Sequence, residues 1–124
     1  MSKTTILIFD IDSSFRELLE VIFEESPYKI ASSDSSQNTI QQIEFHRPFV
    51  VLINTWMSGD NAFKITHHIR QDLYFNNIPI ILMGTNFNLA ALKNAVGADD
   101  FIVQPFDIDD IERKIDIYSH HLIT

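Results

Sequence analysis

The sequence has no cysteine, only three glycines and no long apolar run. The lack of cysteine excludes a disulfide scaffold, a thiol nucleophile and a zinc site with cysteine ligands. Apolar runs such as 80–83 are far shorter than the roughly 20 residues that a membrane-spanning helix needs. The first run, 6–9, is also too short for a signal peptide and is followed at once by Asp10. We therefore expect a cytoplasmic protein without a membrane span.

Basic residues are also scarce. Nine lysine and arginine residues stand against 17 aspartate and glutamate residues, which gives a formal net charge of -8. This charge has the wrong sign for a surface that gathers phosphate backbones or anionic lipid. We therefore expect no direct binding to nucleic acid or to a membrane.

The chain has enough apolar residues for one core. It contains 124 residues, of which 45% are hydrophobic and 21% are charged. This length suits one domain and argues against a separate substrate domain. We expect a single domain over 1–124, with its core at about 5–118.

Short apolar runs alternate with helical patterns along the chain. The runs are continuous, which is typical of strands covered on both faces in a parallel sheet. They lie at 6–9, 28–31, 50–53, 78–82 and 101–103. Helical patterns follow at about 15–22, 36–46, 62–73, 89–96 and 108–118. With right-handed crossovers, this alternation predicts an α/β fold with a doubly wound parallel sheet.

Local signals predict helix ends and inward faces. Ser14 and Glu17 have the spacing of a capping box, Asp107 is the expected N-cap of the last helix, and Gly97 is expected to close the fourth. Apolar spacing predicts the residues that face the core. These are Phe15, Leu18, Leu19 and Ile22 in the first helix, and Ile108, Ile111 and Ile115 in the last.

Open parallel sheets bind ligands at the carboxyl ends of their strands. In this sequence those ends carry Asp10, Asp12, Asn54, the pair 84–85 and the pair 104–105. Of these residues, only the two aspartates have a side chain that becomes charged at neutral pH. The strand ends are therefore the predicted functional site.

Motifs at these strand ends resemble the receiver domain of bacterial two-component response regulators. Stretch 6–12 is similar to that family's first strand and acidic pair, and 47–54 to the approach to its phosphorylated aspartate. Stretches 57–61, 78–84 and 97–106 are similar to the following loop, the fourth strand and the stretch that ends in Lys-Pro-Phe. The resemblance covers nearly the whole chain. It implies a flavodoxin-like fold with five strands in the order 2-1-3-4-5 and five helices.

The sequence departs from the chemistry that the resemblance implies. In an active receiver, an aspartate at the end of strand three attacks a phosphoryl donor, and magnesium is held by that carboxylate and the acidic pair. Here the acceptor position is Asn54, and an amide cannot form an acyl phosphate. Ile11 leaves Asp10 as the only carboxylate in the metal positions. Gly84 and Gln104 replace the hydroxyl and the lysine that would contact the phosphoryl group.

These departures predict a pseudo-receiver that cannot undergo standard aspartyl phosphorylation. Magnesium favours carboxylate ligands, so we expect weak or no magnesium binding, with Asp10 as the residual candidate ligand, and no cofactor. No nucleophile–base pair is visible, and we expect no enzyme activity. Two alternatives stay open: phosphorylation at a surrogate aspartate, Asp12 or Asp60, and small-molecule binding in the strand-end pocket. A register shift of one residue would let Thr85 supply the hydroxyl.

The resemblance also indicates a switch and a binding face. Without a hydroxyl at position 84, we expect Phe101 to turn inward and fill the space beside Gly84, and we expect a cis Gln104–Pro105 bond. The family's usual binding face combines helix four, strand five and helix five. Here the residues assigned to the switch and this face are Thr85, Lys93, Phe101, Arg113 and Lys114.

The leading functional hypothesis is a signalling module that acts through protein–protein interaction. The expected partners are a histidine kinase, an output domain or another regulator, or a second copy bound through the same face. Trp56, two residues after Asn54, is an expected lid of the pocket or an anchor for a partner.

Overall fold

A computed structural model describes residues 4–10, 13–33, 37–55, 59–85 and 88–121. Five parallel strands form one sheet in the order β2-β1-β3-β4-β5, which confirms the predicted topology. The strands are β1 (Thr5–Phe9), β2 (Lys29–Ser33), β3 (Val50–Asn54), β4 (Ile80–Gly84) and β5 (Asp100–Val103).

Five helices alternate with the strands. They are α1 (Ser13–Ile22), α2 (Thr39–His46), α3 (Gly59–Gln71), α4 (Leu89–Val96) and α5 (Ile108–His121). Helices α1 and α5 pack on one face of the sheet, and α2, α3 and α4 pack on the other. This arrangement covers both faces of the central strands, as continuous apolar runs require.

Alternate residues of each central strand enter different cores. In β1, Ile6 and Ile8 face α1 and α5, whereas Leu7 and Phe9 face α2 and α3. All five residues of β3 and of β4 are buried. Full burial of one large apolar side chain contributes about 1.5–3 kcal/mol, so these strands contribute strongly to the driving force for folding.

Some helix ends differ from the predicted ones for local reasons. Helix α2 begins at Thr39, later than predicted, because Asn38 before it has a left-handed backbone with φ of 61°. Helix α3 begins at Gly59 and ends at Gln71, where the Asp72 carboxylate accepts the N–H groups of Tyr74 and Phe75 and turns the chain. Helix α4 matches the predicted bounds. Gly97 closes it with φ of 87°.

Two predicted core residues are exposed instead. Leu18 is 46% exposed because the inward stripe runs through Phe15 and Leu19 of α1 and on to Phe23 just after the helix, at a spacing of four. Ile108 is 52% exposed because it is the first residue of α5, before the helix crosses the sheet. The other predicted core residues of α5, Ile111 and Ile115, are fully buried.

The amino ends of β4 and β5 are joined by Arg70, near the end of α3. Its guanidinium donates to the carbonyls of Asn76, Ile78 and Gly97 at 2.8–3.1 Å and to the Asp99 carboxylate at 2.7 Å. The same Asp99 oxygen accepts the N–H of Ile80 at 2.8 Å. One side chain therefore fixes the loops that enter both strands.

Candidate functional site

Asp10 and Asn54 meet at the carboxyl ends of β1 and β3. These strands are neighbours, with Phe9 opposite Ile53, so the residues that follow lie side by side. Asn54 Nδ2 donates to Asp10 Oδ2 at 3.0 Å, and the two residues are 4% and 5% exposed. The amide thus directs a donor group at the carboxylate and supplies the hydrogen bond that a buried charge requires.

The contact between Asp10 and Asn54 joins one carboxylate to an amide donor, and not two carboxylates. Magnesium takes oxygen ligands, whereas the group of Asn54 that faces Asp10 is an NH2 group. Within the described residues, no group of three or more aspartate, glutamate, histidine or cysteine side chains is placed to hold a metal ion. This side-chain contact between the ends of β1 and β3 is a hydrogen bond between a carboxylate and an amide.

Gly84 ends β4, and Thr55 fills the space beside it. A Cβ built on Gly84 would overlap the Thr55 hydroxyl and would lie 3.5 Å from Thr55 Cβ. The hydroxyl donates to the carbonyl of Met83 at 2.9 Å. Thr55 was not identified from the sequence. Its position directly after Asn54 was the signal, since the end of β3 adjoins the end of β4.

The expectation that Phe101 fills the space beside Gly84 is wrong. The nearest groups to that space belong to Thr55 and Leu89, because both close on Gly84 from the side of the sheet that carries α4. Phe101 is half-buried against the core on that side. Thr55, and not Phe101, therefore takes up the space beside Gly84.

Lys114 on α5 holds the backbone and ring of Phe101. Its ammonium group donates to the Phe101 carbonyl at 2.7 Å and to Asp100 Oδ1 at 2.9 Å, and it lies 5.4 Å from the centre of the Phe101 ring. This is the distance of a cation–π contact. Lys114 is therefore committed to contacts within the domain, which leaves less of its charge for a partner.

Tyr118 packs beside this ion pair. Its hydroxyl donates to Asp100 Oδ2 at 3.5 Å. Burial first, and then the negative charges of Asp100 and Asp99, raise the pKa of Tyr118 to about 12. The phenol is therefore neutral throughout the physiological range.

The remaining predicted residues lie at the same edge or on the face beside it. Thr85 is exposed, one residue beyond the end of β4. The Gln104 N–H donates to the Gly84 carbonyl at 2.7 Å, and the Gln104–Pro105 bond is cis, as predicted. Lys93 is half-buried in the last turn of α4, and Arg113 pairs with Asp110 on the surface of α5 at 3.2 Å.

The face formed by β5 and α5 is partly apolar. Val103 and Ile108 are 42% and 52% exposed. A concavity of about 440 Å³ lies beside them, and its lining combines apolar groups with one lysine and two aspartates. It is lined by Phe101, Ile102, Val103, Pro105, Phe106, Asp107, Asp110 and Lys114. The concavity therefore belongs to the predicted binding face and not to the Asp10–Asn54 pocket.

Several predicted site residues lie outside the described part of the chain. These are Ile11, Asp12 and Trp56. Asp60 lies in the first turn of α3, where only the backbone is described. The structure thus brings Asp10, Asn54, Gly84 and Gln104 to one edge of the sheet and leaves the surrogate acceptors and the proposed lid as predictions.

Comparison with known proteins identifies the family. Residues 6–116 match the model of the response regulator receiver domain. The phosphate regulon transcriptional regulatory protein PhoB of Pseudomonas aeruginosa is 29% identical over 119 residues, which cover 93% of this chain and 51% of that protein. The chain thus spans about half the length of this relative.

Solved structures share the fold at lower sequence identity. A response regulator from Chloroflexus aurantiacus has a TM-score of 0.83 and 21% identity, with 95% of this chain and 98% of that chain covered. The receiver domain of sensor histidine kinase PA1611 from Pseudomonas aeruginosa has a TM-score of 0.79 and 17% identity, with 95% and 98% covered. That structure has a magnesium ion in its active site cleft. In the described part of the present chain, no helix has the length and apolar character to cross a membrane.

Proposed function

This chain belongs to the response regulator receiver domain family, and we propose that it signals through protein contacts without standard aspartyl phosphorylation. The observation that carries the proposal is the hydrogen bond from Asn54 to Asp10, at the end of β3. An aspartate at that position would bring a second carboxylate against Asp10. The amide of Asn54 carries no charge and accepts no phosphoryl group. Its NH2 group donates a hydrogen bond to the Asp10 carboxylate instead.

The same arrangement supports weak or no magnesium binding. A metal that joined Asp10 and Asn54 would have to displace a buried hydrogen bond and would gain one carboxylate in return. No group in the described pocket has the paired nucleophile and base of an enzyme site. We therefore propose a binding module without a cofactor and without enzyme activity of its own, located in the cytoplasm.

Exposure to a phosphoryl donor tests the proposal. After incubation with magnesium and acetyl phosphate, the intact mass should be unchanged, and beryllofluoride should leave the amide NMR spectrum unchanged. Saturable shifts at Asp10 and Asn54 would contradict it. An added phosphoryl mass on Asp12 or Asp60 would support the surrogate-acceptor alternative instead.

The Asn54→Asp variant separates the acceptor from the rest of the pocket. We expect no robust labelling of this variant, because Ile11, Gly84 and Gln104 still lack the carboxylate, the hydroxyl and the ammonium group of an active receiver. A known active receiver labelled in parallel controls for the donor. Robust labelling of Asn54→Asp would show that the remaining site is competent and that one residue alone blocks it.

We propose the α4-β5-α5 face as the surface that binds a signalling protein. It offers exposed Val103 and Ile108 beside charged residues, the apolar centre and polar rim of specific interfaces. Reversal of the charges at Lys93 and Arg113 should weaken partner capture in a pull-down and self-association in sedimentation, with circular dichroism as the folding control. A charge introduced at exposed Val21 on α1 is the matched control. Equal loss in both variants would place the working surface elsewhere.

A further inference from the structure

We propose that Thr55 is a positioning residue that fixes the carboxyl ends of β3 and β4 and requires glycine at position 84. This inference deepens the proposed function, on which it rests: it names the contact that holds the pocket in one state. The contact lies entirely within the described residues, between Thr55, Met83 and Gly84.

The carbonyl of Met83 accepts two hydrogen bonds from one residue. The Thr55 N–H donates to it at 2.7 Å, and the Thr55 hydroxyl donates to it at 2.9 Å. The next carbonyl of β4, that of Gly84, accepts the N–H of Gln104 at 2.7 Å. The end of β4 is therefore tied to the residue after β3 on one side and to the residue after β5 on the other.

The glycine at position 84 has a steric cause. Its φ lies outside the left-handed region, where Gly97 is found, so the backbone itself would accept any residue. The obstacle is the Thr55 hydroxyl, which a Cβ at position 84 would overlap. Rotation of Thr55 to clear that space would break its hydroxyl bond to Met83. A side chain at position 84 therefore fits only beside a Thr55 side chain that has given up this hydrogen bond.

This pairing has a consequence for signalling. In an active receiver, the resemblance implies, a hydroxyl side chain on strand four moves toward the phosphoryl group. Here the place of that side chain is taken by Thr55, which directly follows β3 and bonds the backbone of β4. Even with an aspartate at position 54, the chain would lack the strand-four side chain that moves toward a phosphoryl group, because position 84 is glycine. We therefore infer that Thr55 and Gly84 keep β4 in one conformation.

A double-mutant cycle tests the pairing on the full chain. Gly84→Ala should lower the melting temperature by about 5 °C or more in the wild-type background, because overpacking forces a rearrangement. In the Thr55→Ala background, the same change should have little effect or raise it, since the new methyl would meet only Thr55 Cβ at 3.5 Å and Leu89 at 4.0 Å. Thr55→Ser, which keeps the hydroxyl, should retain the full penalty. Equal losses in all three backgrounds would overturn the proposal.

A second readout separates positioning from mere packing. Relaxation-dispersion NMR should detect no exchange at the amides of Gly84 and Gln104 in wild type and in Thr55→Ser, and exchange in Thr55→Ala. If Thr55→Ala does not fold, contacts between the Thr55 side chain and the Gly84 α-protons, sought by NMR in wild type, decide the geometry. Their absence would overturn the proposal. Neither measurement involves a phosphoryl donor, so the pairing can fail while phosphorylation-independent signalling stands, and the reverse.

Discussion

The amino ends of the strands (the amino edge of the sheet) and their carboxyl ends (the carboxyl edge) use charge in opposite ways. At the amino edge, the Arg70 guanidinium makes four hydrogen bonds, one of them to the Asp99 carboxylate, and every contact holds a loop in place. At the carboxyl edge, Asn54 contacts Asp10 and Thr55 contacts Met83, and of these four residues only Asp10 carries a formal charge. The difference teaches that a charged side chain holds the loops at the amino edge, whereas neutral donors, an amide and a hydroxyl, make these contacts at the carboxyl edge.

The largest effect is expected when charge is returned to the carboxyl edge. Asn54→Asp should lower the free energy of unfolding by about 3 kcal/mol in EDTA, because it removes the donor that faces Asp10 and buries a second carboxylate. Asn54→Ala, which only removes the hydrogen bond, should cost about 1–2 kcal/mol. Urea denaturation measures both. Added magnesium should recover stability in Asn54→Asp and not in Asn54→Ala.

If Asn54→Asp were as stable as wild type in EDTA, the carboxyl edge would tolerate a second charge. The two edges would then differ in the residues that they carry, but not in the stability that is lost when a charge is changed there.

The next effect is expected when the amino edge loses its charge. Arg70→Met should lower the free energy of unfolding by about 2 kcal/mol, because the carbonyls of Asn76, Ile78 and Gly97 lose a charged donor. Arg70→Lys should recover less than half of this loss, since an ammonium group lacks the planar fork that reaches several acceptors at once. Chemical denaturation checks both values. Full recovery by lysine would show that charge alone, without geometry, holds this edge.

A smaller effect, in this case a gain in stability, is expected from a substitution on α3, between the two edges. Thr66 on α3 is fully buried, and its hydroxyl is the one buried side-chain polar atom in the described residues that has no hydrogen-bond partner. Thr66→Val should raise the free energy of unfolding by about 1 kcal/mol, because it replaces an unsatisfied polar group with a methyl of similar shape. Thr66→Ser, which keeps the hydroxyl and loses the methyl, should lower it. A loss of stability in Thr66→Val would reveal a role for the hydroxyl.

The smallest effect concerns alkaline pH. Burial and nearby carboxylates raise the pKa of Tyr118 to about 12, whereas the unfolded chain loses the same proton near the ordinary value of 10.0. The unfolded state therefore binds fewer protons above pH 10, and stability falls as pH rises from there toward 12. Tyr118→Phe should show a shallower fall in unfolding midpoints measured from pH 9 to 11.5.

Tyr28 sets a background for this measurement. Its pKa is also raised, mainly by burial and then by its hydrogen bond to Asp116. Tyr28→Phe should therefore flatten the profile in its own right. An unchanged slope in Tyr118→Phe would show that Tyr118 titrates normally in the folded protein.

Much of the fold could be predicted because its signals are local. Continuous apolar runs place β1, β3 and β4 within two residues of their observed ends, and Gly97 closes α4 where its backbone freedom predicts. Predictions of burial were poorer where it depends on how a helix packs against the sheet. Leu18 and Ile108 have apolar side chains at helical spacing, but the path of each helix over the sheet determines which stripe is buried.

The sequence by itself determined the alternation of strands and helices, the excess of acidic residues and the asparagine at position 54, because each depends only on which residues are present and how they are spaced. The tertiary structure decided which groups meet. The hydrogen bond from Asn54 to Asp10 spans 44 positions, and the one from Thr55 to Met83 spans 28. Contacts of this kind depend on strand register and on side-chain direction, which local spacing does not specify. Only the folded sheet could therefore show that Thr55, and not Phe101, fills the space at Gly84.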